Sequence, residues 1–419
     1  MGEVENIQVP PTIGKYTIGE KIGSGAFSSV FKGTHMLTKI DVAIKVISKK
    51  SFTDQKFITR FMREVNLLKQ MNHPMINELY DLYEDEKYHY LIMEYSPNGD
   101  LLSFINKNGK LIEPIARRYF TQLFSVLEYL HKERKVAHRD LKAENILLDR
   151  YFNLRIIDFG LSNCFTDENN VFETKCGSPA YIPPEMIIGY GYTPAADMWS
   201  TGVLLYAMSI GSLPFDDENV KKTLQLIVYA NPTYPPSISP ALADLLQKLL
   251  TKDPLLRITL DKIKEHPWFS KLEYDAIYAY QKKIQEVTCD PEIVSQMERY
   301  GLDTTNLRQN LFLGVYDETT AVYRMLRKMK VTFEMKTAMR ARPSAANSTP
   351  QPNKMLSNIS VEGVSQGRSI QIHRTQNNSP LMDHCVNVVA QQATFRPLAK
   401  PAVRVNVARC YSTKPQGIN

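Results

Sequence analysis

The stretch "AHRDLKAEN", residues 137–145, sets an aspartate, a lysine and an asparagine along one short polar segment. The preceding residues, "IARRYFTQLFSVLEYLHK", carry apolar side chains every three or four positions, and Pro114 suits a first helical turn. The short apolar runs "ILL" and "LRII" follow, and then "DFG". A polar segment between a buried helix and strands either lies in solvent or carries chemistry, and its neighbours in the sequence must decide which.

The composition is that of an ordinary globular chain. Its 419 residues, 43% hydrophobic and 23% charged, leave room for two or three domains. No apolar run reaches the roughly 18 residues of a membrane span, and no signal peptide opens the chain. The 5 cysteines are widely spaced and form neither a zinc pattern nor a disulfide framework, which fits a reducing compartment. We therefore expect an intracellular, cytoplasmic protein without a transmembrane segment, and access to the nucleus stays open.

The basic charge is concentrated at the C-terminal end. From Met335 onward there are 11 Lys and Arg against 2 Asp and Glu, which leaves 40 basic and 42 acidic residues in the rest of the chain. This segment is rich in Ser, Asn, Gln and Pro, so residues 335–419 are predicted to form a largely disordered tail. Contact of the basic tail with acidic lipid or RNA is one interpretation, and a solvated regulatory tail is the favoured one.

Two segments near the start have features of a phosphate-binding site. In "KIGSGAFSSVFKG", Gly23 and Gly25 would let the backbone approach a phosphate closely. The alternative is an ordinary hairpin turn, which can contain the same glycines. In "DVAIKVI", residues 41–47, strand alternation puts Ala43 and Lys45 on one face. That pairs a small residue for a flat ring with a cation for phosphates; the alternative is a lysine that points to water.

The next segment, "FITRFMREVNLLKQM", predicts a helix on which Arg60 and Glu64 lie one turn apart. Glu64 can then face Lys45, or it can be a solvated helix charge. Farther on, Asp158 follows Asn145 by 13 residues at the end of an apolar run. Two oxygen ligands on neighbouring segments are what magnesium-bound phosphates require.

In this order the motifs resemble those of eukaryotic protein kinases: a glycine-rich loop, V-A-I-K, H-R-D-L-K-x-x-N and D-F-G. The resemblance covers roughly residues 16–269, through "DMWSTGVLLYAM", "SLPF", "DPLLR" and "HPWF". Within that family, "HRDLKAENILLD" and "CGSPAY" are similar to the calmodulin-dependent/AMP-activated group, especially AMP-activated and microtubule-affinity-regulating kinases. The resemblance implies an α+β, bilobal protein kinase fold, with an antiparallel β N-lobe that holds one helix, a mostly helical C-lobe, and ATP in the cleft between them.

A second resemblance follows the predicted linker 270–289. Residues 290–328 are similar to the ubiquitin-associated-like three-helix module that follows such kinase domains; some other small helical extension is the alternative. The apolar residues suited to its small core are Met297, Tyr300, Leu302, Leu307, Leu311, Tyr316, Ala321 and Tyr323. Because a domain this small gains stability from packing, we expect it to dock on the kinase domain and tune activity rather than bind ubiquitin.

The resemblance also implies the residues that hold the cofactors, ATP and Mg²⁺. Those expected around adenine are Ile22, Val30, Ala43 and Leu147, with Met93 at the back and the backbone of Glu94 and Ser96 as hydrogen-bond partners. Those expected in the glycine-rich cover are Gly23, Ser24, Gly25, Ala26, Phe27 and Ser28.

For phosphoryl transfer, the resemblance implies that Lys45, held by Glu64, contacts the α- and β-phosphates and that Asp158 and Asn145 hold magnesium. It implies that Asp140 orients the substrate hydroxyl and that Lys142 stabilises charge near the γ-phosphate. A pseudokinase would require the loss of a residue of this set, and all are present. A small-molecule kinase is disfavoured because "CGSPAYIPPE" resembles a peptide-binding platform.

The lysine in "DLKAEN" resembles serine/threonine kinases, so protein substrates with Ser or Thr acceptors are expected. Asp100 and Glu144 stand where basophilic relatives bind an arginine before the acceptor, which favours basic substrates; two surface acids are the alternative. "PPE" replaces the usual A-P-E, and Glu185 is still expected to pair with Arg257.

Thr174, in "VFETKCGSPAY", matches the phosphorylated threonine of the AMP-activated relatives. A phosphate there could pair with Arg139 and Arg60 and order the loop, although a solvent-exposed loop threonine is the alternative. Because "FETKCGS" carries no arginine before Thr174, an upstream activating kinase is expected rather than self-activation.

Overall fold

The chain forms a sheet-based N-lobe, a helical C-lobe and a C-terminal group of three helices. The structure is a computed structural model that describes residues 7–25, 28–51, 55–158, 163–164, 179–286 and 288–340. The strands are β1 Thr12–Ile13, β2 Tyr16–Ser24, β3 Ser28–His35, β4 Asp41–Ser48, β5 Leu79–Glu84, β6 Tyr88–Glu94, β7 Val136–Ala137, β8 Ile146–Leu148, β9 Leu154–Ile156 and β10 Asn163–Cys164. The helices are α1 Gln55–Gln70, α2 Leu101–Asn108, α3 Glu113–Glu128, α4 Pro184–Ile187, α5 Pro194–Ile210, α6 Val220–Tyr229, α7 Pro240–Leu249, α8 Leu260–Lys264, α9 Lys271–Gln285, α10 Pro291–Arg299, α11 Leu307–Phe312 and α12 Glu318–Arg340.

The N-lobe sheet is antiparallel, with six strands in the order β1-β2-β3-β4-β6-β5. Strand β4 shows the predicted alternation, because Val42, Ile44 and Val46 are fully buried while Ala43 and Lys45 are partly exposed on the other face. The predicted helix is α1, whose buried side chains join the apolar cluster that fills the C-lobe. The α+β bilobal fold expected from the resemblance is confirmed.

The C-lobe is organised around α5, most of whose residues are buried. Helix α3 begins with Pro114 in its first turn, as the sequence predicts, and ends at Glu128; a short helical turn, Tyr129–Arg134, then leads to the polar segment. The connection from β6 to α2, residues 94–100, which we call the hinge, joins the two lobes. No helix among the described residues is both long and apolar enough to cross a membrane.

The prediction of a linker at residues 270–289 is wrong, because most of this segment is helix α9. Tyr274, Ile277 and Ile284 recur at helical spacing and are buried, and the first two belong to the C-lobe cluster. The prediction failed because the weak amphipathic pattern of this stretch becomes decisive only when a partner surface covers its apolar face.

The predicted tail boundary at 335 also needs correction. Helix α12 continues to Arg340, and Met335 is fully buried in the C-lobe cluster. Polar residues dominate this end of the helix, so composition alone suggested a disordered segment. Helical structure persists here because α12 packs along α9 and β5.

The three C-terminal helices share a core with the N-lobe. Met297, Leu307 and Ala321 are buried in the same apolar cluster as Tyr16 and Ile44 of the sheet. Of the other predicted core residues, Tyr323 is buried there too, whereas Tyr300, Leu302 and Leu311 are partly buried against it and Tyr316 packs against the C-lobe cluster. The residues predicted to form the small core therefore belong to a larger core, which the three helices share with the sheet.

Candidate active site

The polar segment 137–145 brings its predicted catalytic side chains together at one carboxylate. Lys142 Nζ lies 2.8 Å from Asp140 Oδ2, and Asn145 Nδ2 donates to the same oxygen at 2.8 Å. Asn145 Nδ2 also donates to the Asp140 carbonyl at 2.9 Å. Because these bonds use the amide nitrogen, the side-chain oxygen of Asn145 is the atom left for a cation.

The backbone of this segment is fixed by Asp197, a residue that the sequence analysis did not single out. Its carboxylate accepts hydrogen bonds from the amides of His138 and Arg139, each at 2.9 Å, and lies 2.7 Å from His131 Nε2. Burial raises the pKa of Asp197, but the hydrogen bond and charge of His131 outweigh it and hold that pKa at about 2. A single acidic residue in the apolar helix "DMWSTGVLLYAM" was the available signal, since a buried carboxylate requires partners.

Lys45 and Glu64 meet across the N-lobe as the sequence predicts. Lys45 Nζ lies 3.1 Å from Glu64 Oε1, which joins β4 to α1. Burial lowers the pKa of Lys45, but the charges of Glu64 and Asp158 more than offset it and raise that pKa above its ordinary range. Asp158 itself has φ 63°, an unfavourable backbone conformation for a residue other than glycine, of the kind that clusters at functional sites.

The residues predicted around adenine lie on both lobes. Ala43 pairs with Met93 in the β4–β6 register, and Val30 pairs with Lys45 in the β3–β4 register. Leu147 lies partly buried on β8, which follows the N-lobe in the sequence. It forms an isolated β-bridge with Asp100 of the hinge. Ile22, at the end nearest the glycines, is 44% exposed, so it has apolar surface left to cover a ring.

The two hinge residues predicted to bind adenine differ in their backbone partners. The Glu94 amide donates to the Glu78 carbonyl at 2.9 Å, and the Glu94 carbonyl accepts from Asn77 Nδ2 at 2.9 Å. Only the second lone pair of that carbonyl is left for a ligand. The Ser96 amide has no hydrogen-bond partner in the described part of the chain, so it is the better placed of the two.

The glycine-rich turn is only partly described. Gly25 N donates to Ser28 O at 2.8 Å, and a Cβ on Gly25 would lie 3.1 Å from Ser28 Oγ. This tight contact favours glycine at position 25. Ala26 and Phe27 lie outside the described residues.

An acidic cluster adjoins Asp140. Glu144 Oε2 is buried and has no hydrogen-bond partner among the described residues. Burial raises the pKa of Glu144; a hydrogen bond from its own backbone and the charge of Lys142 lower it, and the charges of Asp140 and Asp100 raise it. Asp100 is also the N-cap of α2, where it accepts from Ser103 N at 2.7 Å. A buried carboxylate oxygen without a partner, beside two other carboxylates, favours a positively charged binding partner.

Thr174 and the side chain of Arg60 lie outside the described residues, although the backbone of Arg60 is in α1. The Arg139 guanidinium lies 5.1 Å from the ring centre of Tyr192. That arginine therefore has a cation–π contact on the C-lobe side.

The predicted pair of Glu185 and Arg257 is confirmed. Arg257 Nη1 and Nη2 donate to the two carboxylate oxygens of Glu185 at 2.7 and 2.8 Å, and both residues are 3% exposed. Arg257 Nη1 also donates to the Ala195 carbonyl at 2.6 Å. This bidentate contact ties α4 to the start of α5, directly after the loop that carries Thr174.

A two-lobed fold with a lysine–glutamate pair in one lobe and a fixed aspartate loop in the other defines a protein kinase catalytic domain. The chain belongs to the protein kinase family: the family profile described as "Protein kinase domain" matches residues 16–269. It is 36% identical over 313 residues to the SNF1-related protein kinase catalytic subunit alpha KIN12 of Arabidopsis thaliana, covering 74% of this chain and 63% of that protein.

Rice proteins give a similar result. The chain is 37% identical over 314 residues to the serine/threonine protein kinase OSK4 of Oryza sativa subsp. indica and subsp. japonica, covering 74% of this chain and 61% of each. The chain thus matches about three fifths of the length of these curated relatives. The resemblance inferred from the motifs is confirmed.

The Glu185–Arg257 pair gives a stability prediction. We expect Arg257→Leu to lower the free energy of unfolding by about 3–5 kcal/mol, because it leaves the Glu185 carboxylate buried without its cation. Lys248→Met is the matched control, since its pair with Asp244 is half-exposed and should contribute below about 1 kcal/mol. Urea unfolding followed by circular dichroism measures both, and equal losses in the two variants would contradict the prediction.

Proposed function

We propose that this chain is an ATP-dependent serine/threonine protein kinase that transfers the γ-phosphoryl group of Mg-ATP to protein hydroxyls. The observation that carries the proposal is the convergence of Lys142 and Asn145 on Asp140. Family membership and the Lys45–Glu64 pair support it. The names of the rice relatives support serine and threonine as acceptors.

The described residues fit ATP and magnesium. The free side-chain oxygen of Asn145 and the carboxylate of Asp158 are hard ligands of the kind magnesium takes, and Lys45 supplies a fixed cation for the phosphates. Bound magnesium would neutralise charge on the phosphate oxygens. The Ser96 amide would donate to the adenine ring, while Ala43 and Leu147 would cover its two faces.

In this mechanism Asp140 accepts a hydrogen bond from the substrate hydroxyl and aims its oxygen at the γ-phosphorus. The proton can pass to Asp140 as the new bond to phosphorus forms. Lys142, held at 2.8 Å from the same carboxylate, stabilises negative charge on the transferred group. Asp197 acts as a positioning residue, because its carboxylate fixes the backbone amides of His138 and Arg139, immediately before Asp140.

We further propose that substrates carry a basic residue before the acceptor. The buried oxygen of Glu144 without a partner, with Asp100 and Asp140 nearby, supports an arginine site. A guanidinium would satisfy this carboxylate by charge-assisted hydrogen bonds.

The catalytic proposal predicts loss of activity without loss of fold. Lys45→Met and Asp140→Asn should each lower the rate of peptide phosphorylation by at least about 10²-fold, because each removes charge that acts on the reacting groups. Lys49→Met is the control, because its ion pair with Glu84 lies on the surface of the same lobe. Near-normal turnover in Lys45→Met or Asp140→Asn, with unchanged circular dichroism, would refute the assigned roles.

We also propose that phosphorylation of Thr174 by an upstream kinase activates the protein. The phosphate would bring about −1.5 to −2 charges to the loop, and Arg139, next to Asp140, is a cation that could bind it. Arg60 on α1 is the second candidate. Its turn carries Glu64, so a contact there would connect loop order to the Lys45–Glu64 pair.

This switch predicts low activity for the chain produced in bacteria and a rise of about tenfold or more after treatment with an activating kinase of AMP-activated relatives. Thr174→Ala should abolish the rise, whereas Thr166→Ala in the same loop should retain it. Phosphate incorporation is measured by mass spectrometry beside the activity assay. A treated Thr174→Ala protein with full activity would show that the switch lies elsewhere.

For the three C-terminal helices we propose a docked module that stabilises the kinase domain and tunes its activity. On α12, Arg327 Nη2 lies 2.8 Å from Glu78 Oε1, and Lys328 Nζ donates to the Ile76 carbonyl at 2.7 Å. Lys328 also lies 3.3 Å from the hinge residue Glu94. The shared apolar core and these buried contacts support docking over ubiquitin binding.

The docking proposal predicts that Lys328→Met lowers the free energy of unfolding by about 3 kcal/mol and changes the KM for ATP, because Glu94 loses one of its two cations. Lys330→Met, two positions along the same helix, should alter stability by less than about 1 kcal/mol, since its partner Glu292 is 82% exposed and its contact with Asp290 is only partly buried. Denaturant unfolding and initial-rate kinetics measure these effects. Equal stability of the two variants, together with micromolar ubiquitin binding, would reverse the proposal.

A further inference from the structure

A cavity of about 550 Å³ lies behind the hinge, between the hinge, the N-lobe sheet and helix α12. Its volume is within the range of roughly 300–1,000 Å³ that is typical of small-molecule sites. Of the residues predicted to hold ATP, only Glu94 lines it. The cavity is therefore distinct from the proposed nucleotide cleft, although the two share this hinge residue.

The most buried charged groups of the cavity wall, next to the hinge, are paired with one another. Arg155 Nε donates to Glu94 Oε1 at 2.6 Å, and its Nη2 lies 2.9 Å from Asp149 Oδ2. Lys328 Nζ adds a second cation 3.3 Å from Glu94 Oε2. Two buried cations thus face two buried carboxylates, and all four residues are at most 8% exposed. A charged ligand would bring an uncompensated charge into this balanced group, so an uncharged ligand fits best.

The remaining wall combines charged side chains, among them Asp41, Glu292 and Lys330, with aromatic and apolar ones. Tyr95 of the hinge, Tyr151 of the C-lobe and Phe333 of α12 all line the cavity. Rings from three separate elements around one space favour a flat, ring-bearing molecule, because ring faces and edges pack well against each other.

One polar group in this wall lacks a partner. Tyr80 lines the cavity, is 3% exposed, and its hydroxyl makes no hydrogen bond within the described part of the chain. Burial raises the pKa of Tyr80 well above its ordinary value, and the charge of Glu94 raises it further, so the hydroxyl keeps its proton. A ligand acceptor would give this hydroxyl a hydrogen bond that no described residue provides.

We propose that the cavity between the hinge and α12 binds an uncharged aromatic molecule whose hydrogen-bond acceptor is held by the Tyr80 hydroxyl. Because walls from the hinge, the C-lobe and α12 contribute to one site, the ligand binds only when the module is docked. Ligand binding in this cavity does not depend on phosphoryl transfer. A failure of this proposal would therefore leave the proposed kinase function intact, and loss of the kinase function would leave this proposal intact.

Nile red is a suitable probe, since it is an uncharged, ring-bearing dye with a carbonyl acceptor and its fluorescence rises in apolar surroundings. The full chain should bind one equivalent saturably, and saturating ATP should not displace it. Tyr80→Phe should weaken binding about tenfold while the fold is retained, because it removes only a hydroxyl that has no protein partner.

Two further variants separate the cavity from other apolar surface. Met329→Trp places a larger side chain in the cavity wall and should abolish binding. Phe312→Ala removes a side chain that is 74% exposed on α11 and does not line the cavity, so it should leave binding unchanged. The proposal is overturned if the dye shows no saturable binding, if ATP displaces it, or if Met329→Trp and Tyr80→Phe bind it as tightly as the unaltered chain.

Discussion

The carboxylate of Asp197, buried at the start of α5, is the constraint on which the arrangement of the active site depends. It takes the amides of His138 and Arg139 at 2.9 Å and thereby fixes the loop that carries Asp140 to the most buried helix of the C-lobe. A carboxylate in an apolar interior requires such donors, so the loop and the helix specify each other. The position of the proposed catalytic aspartate therefore follows from the packing of the core.

A second buried charge group, around Arg155, connects three parts of the chain. Its guanidinium contacts the hinge at Glu94, the β8–β9 turn at Asp149 and the hydroxyl of Thr332 on α12. Arg155 precedes Asp158 by three residues, so the group connects the hinge, a proposed metal ligand and the C-terminal helices. Charges that are desolvated in this way hold their partners in one geometry, since any displacement leaves a buried charge unpaired. The three helices are in this sense part of the kinase fold.

Strained backbone conformations occur at the proposed active site. Arg139, next to the proposed catalytic Asp140, and Asp158, a proposed metal ligand, have φ of 72° and 63° without being glycine. Such conformations are unfavourable by about 1–3 kcal/mol each and persist only where surrounding contacts fix them. The hydrogen bond from the Arg139 amide to Asp197 is one such contact.

Much of the fold and most of the proposed site could be predicted from the sequence, because both depend on local patterns. The alternation in 41–47 gave β4 and the shared face of Ala43 and Lys45, and helical spacing gave α1 with Glu64 turned toward that face. Lys142 and Asn145 lie within five residues of Asp140 in the sequence. Their contact with its carboxylate is therefore a local feature that does not depend on a distant segment.

Tertiary structure alone decided what depends on burial by distant segments. Asp197 holds the loop through a partner 59 positions away. Its apolar sequence neighbours indicate that the carboxylate requires a partner, but not which segment supplies it. The helical state of 271–285 and of α12 beyond residue 335 depends on the surface that each covers, as does the shared core of the module and the sheet. Local sequence determines which conformations are available to a segment, and the free energy of burying it against a particular neighbour selects among them.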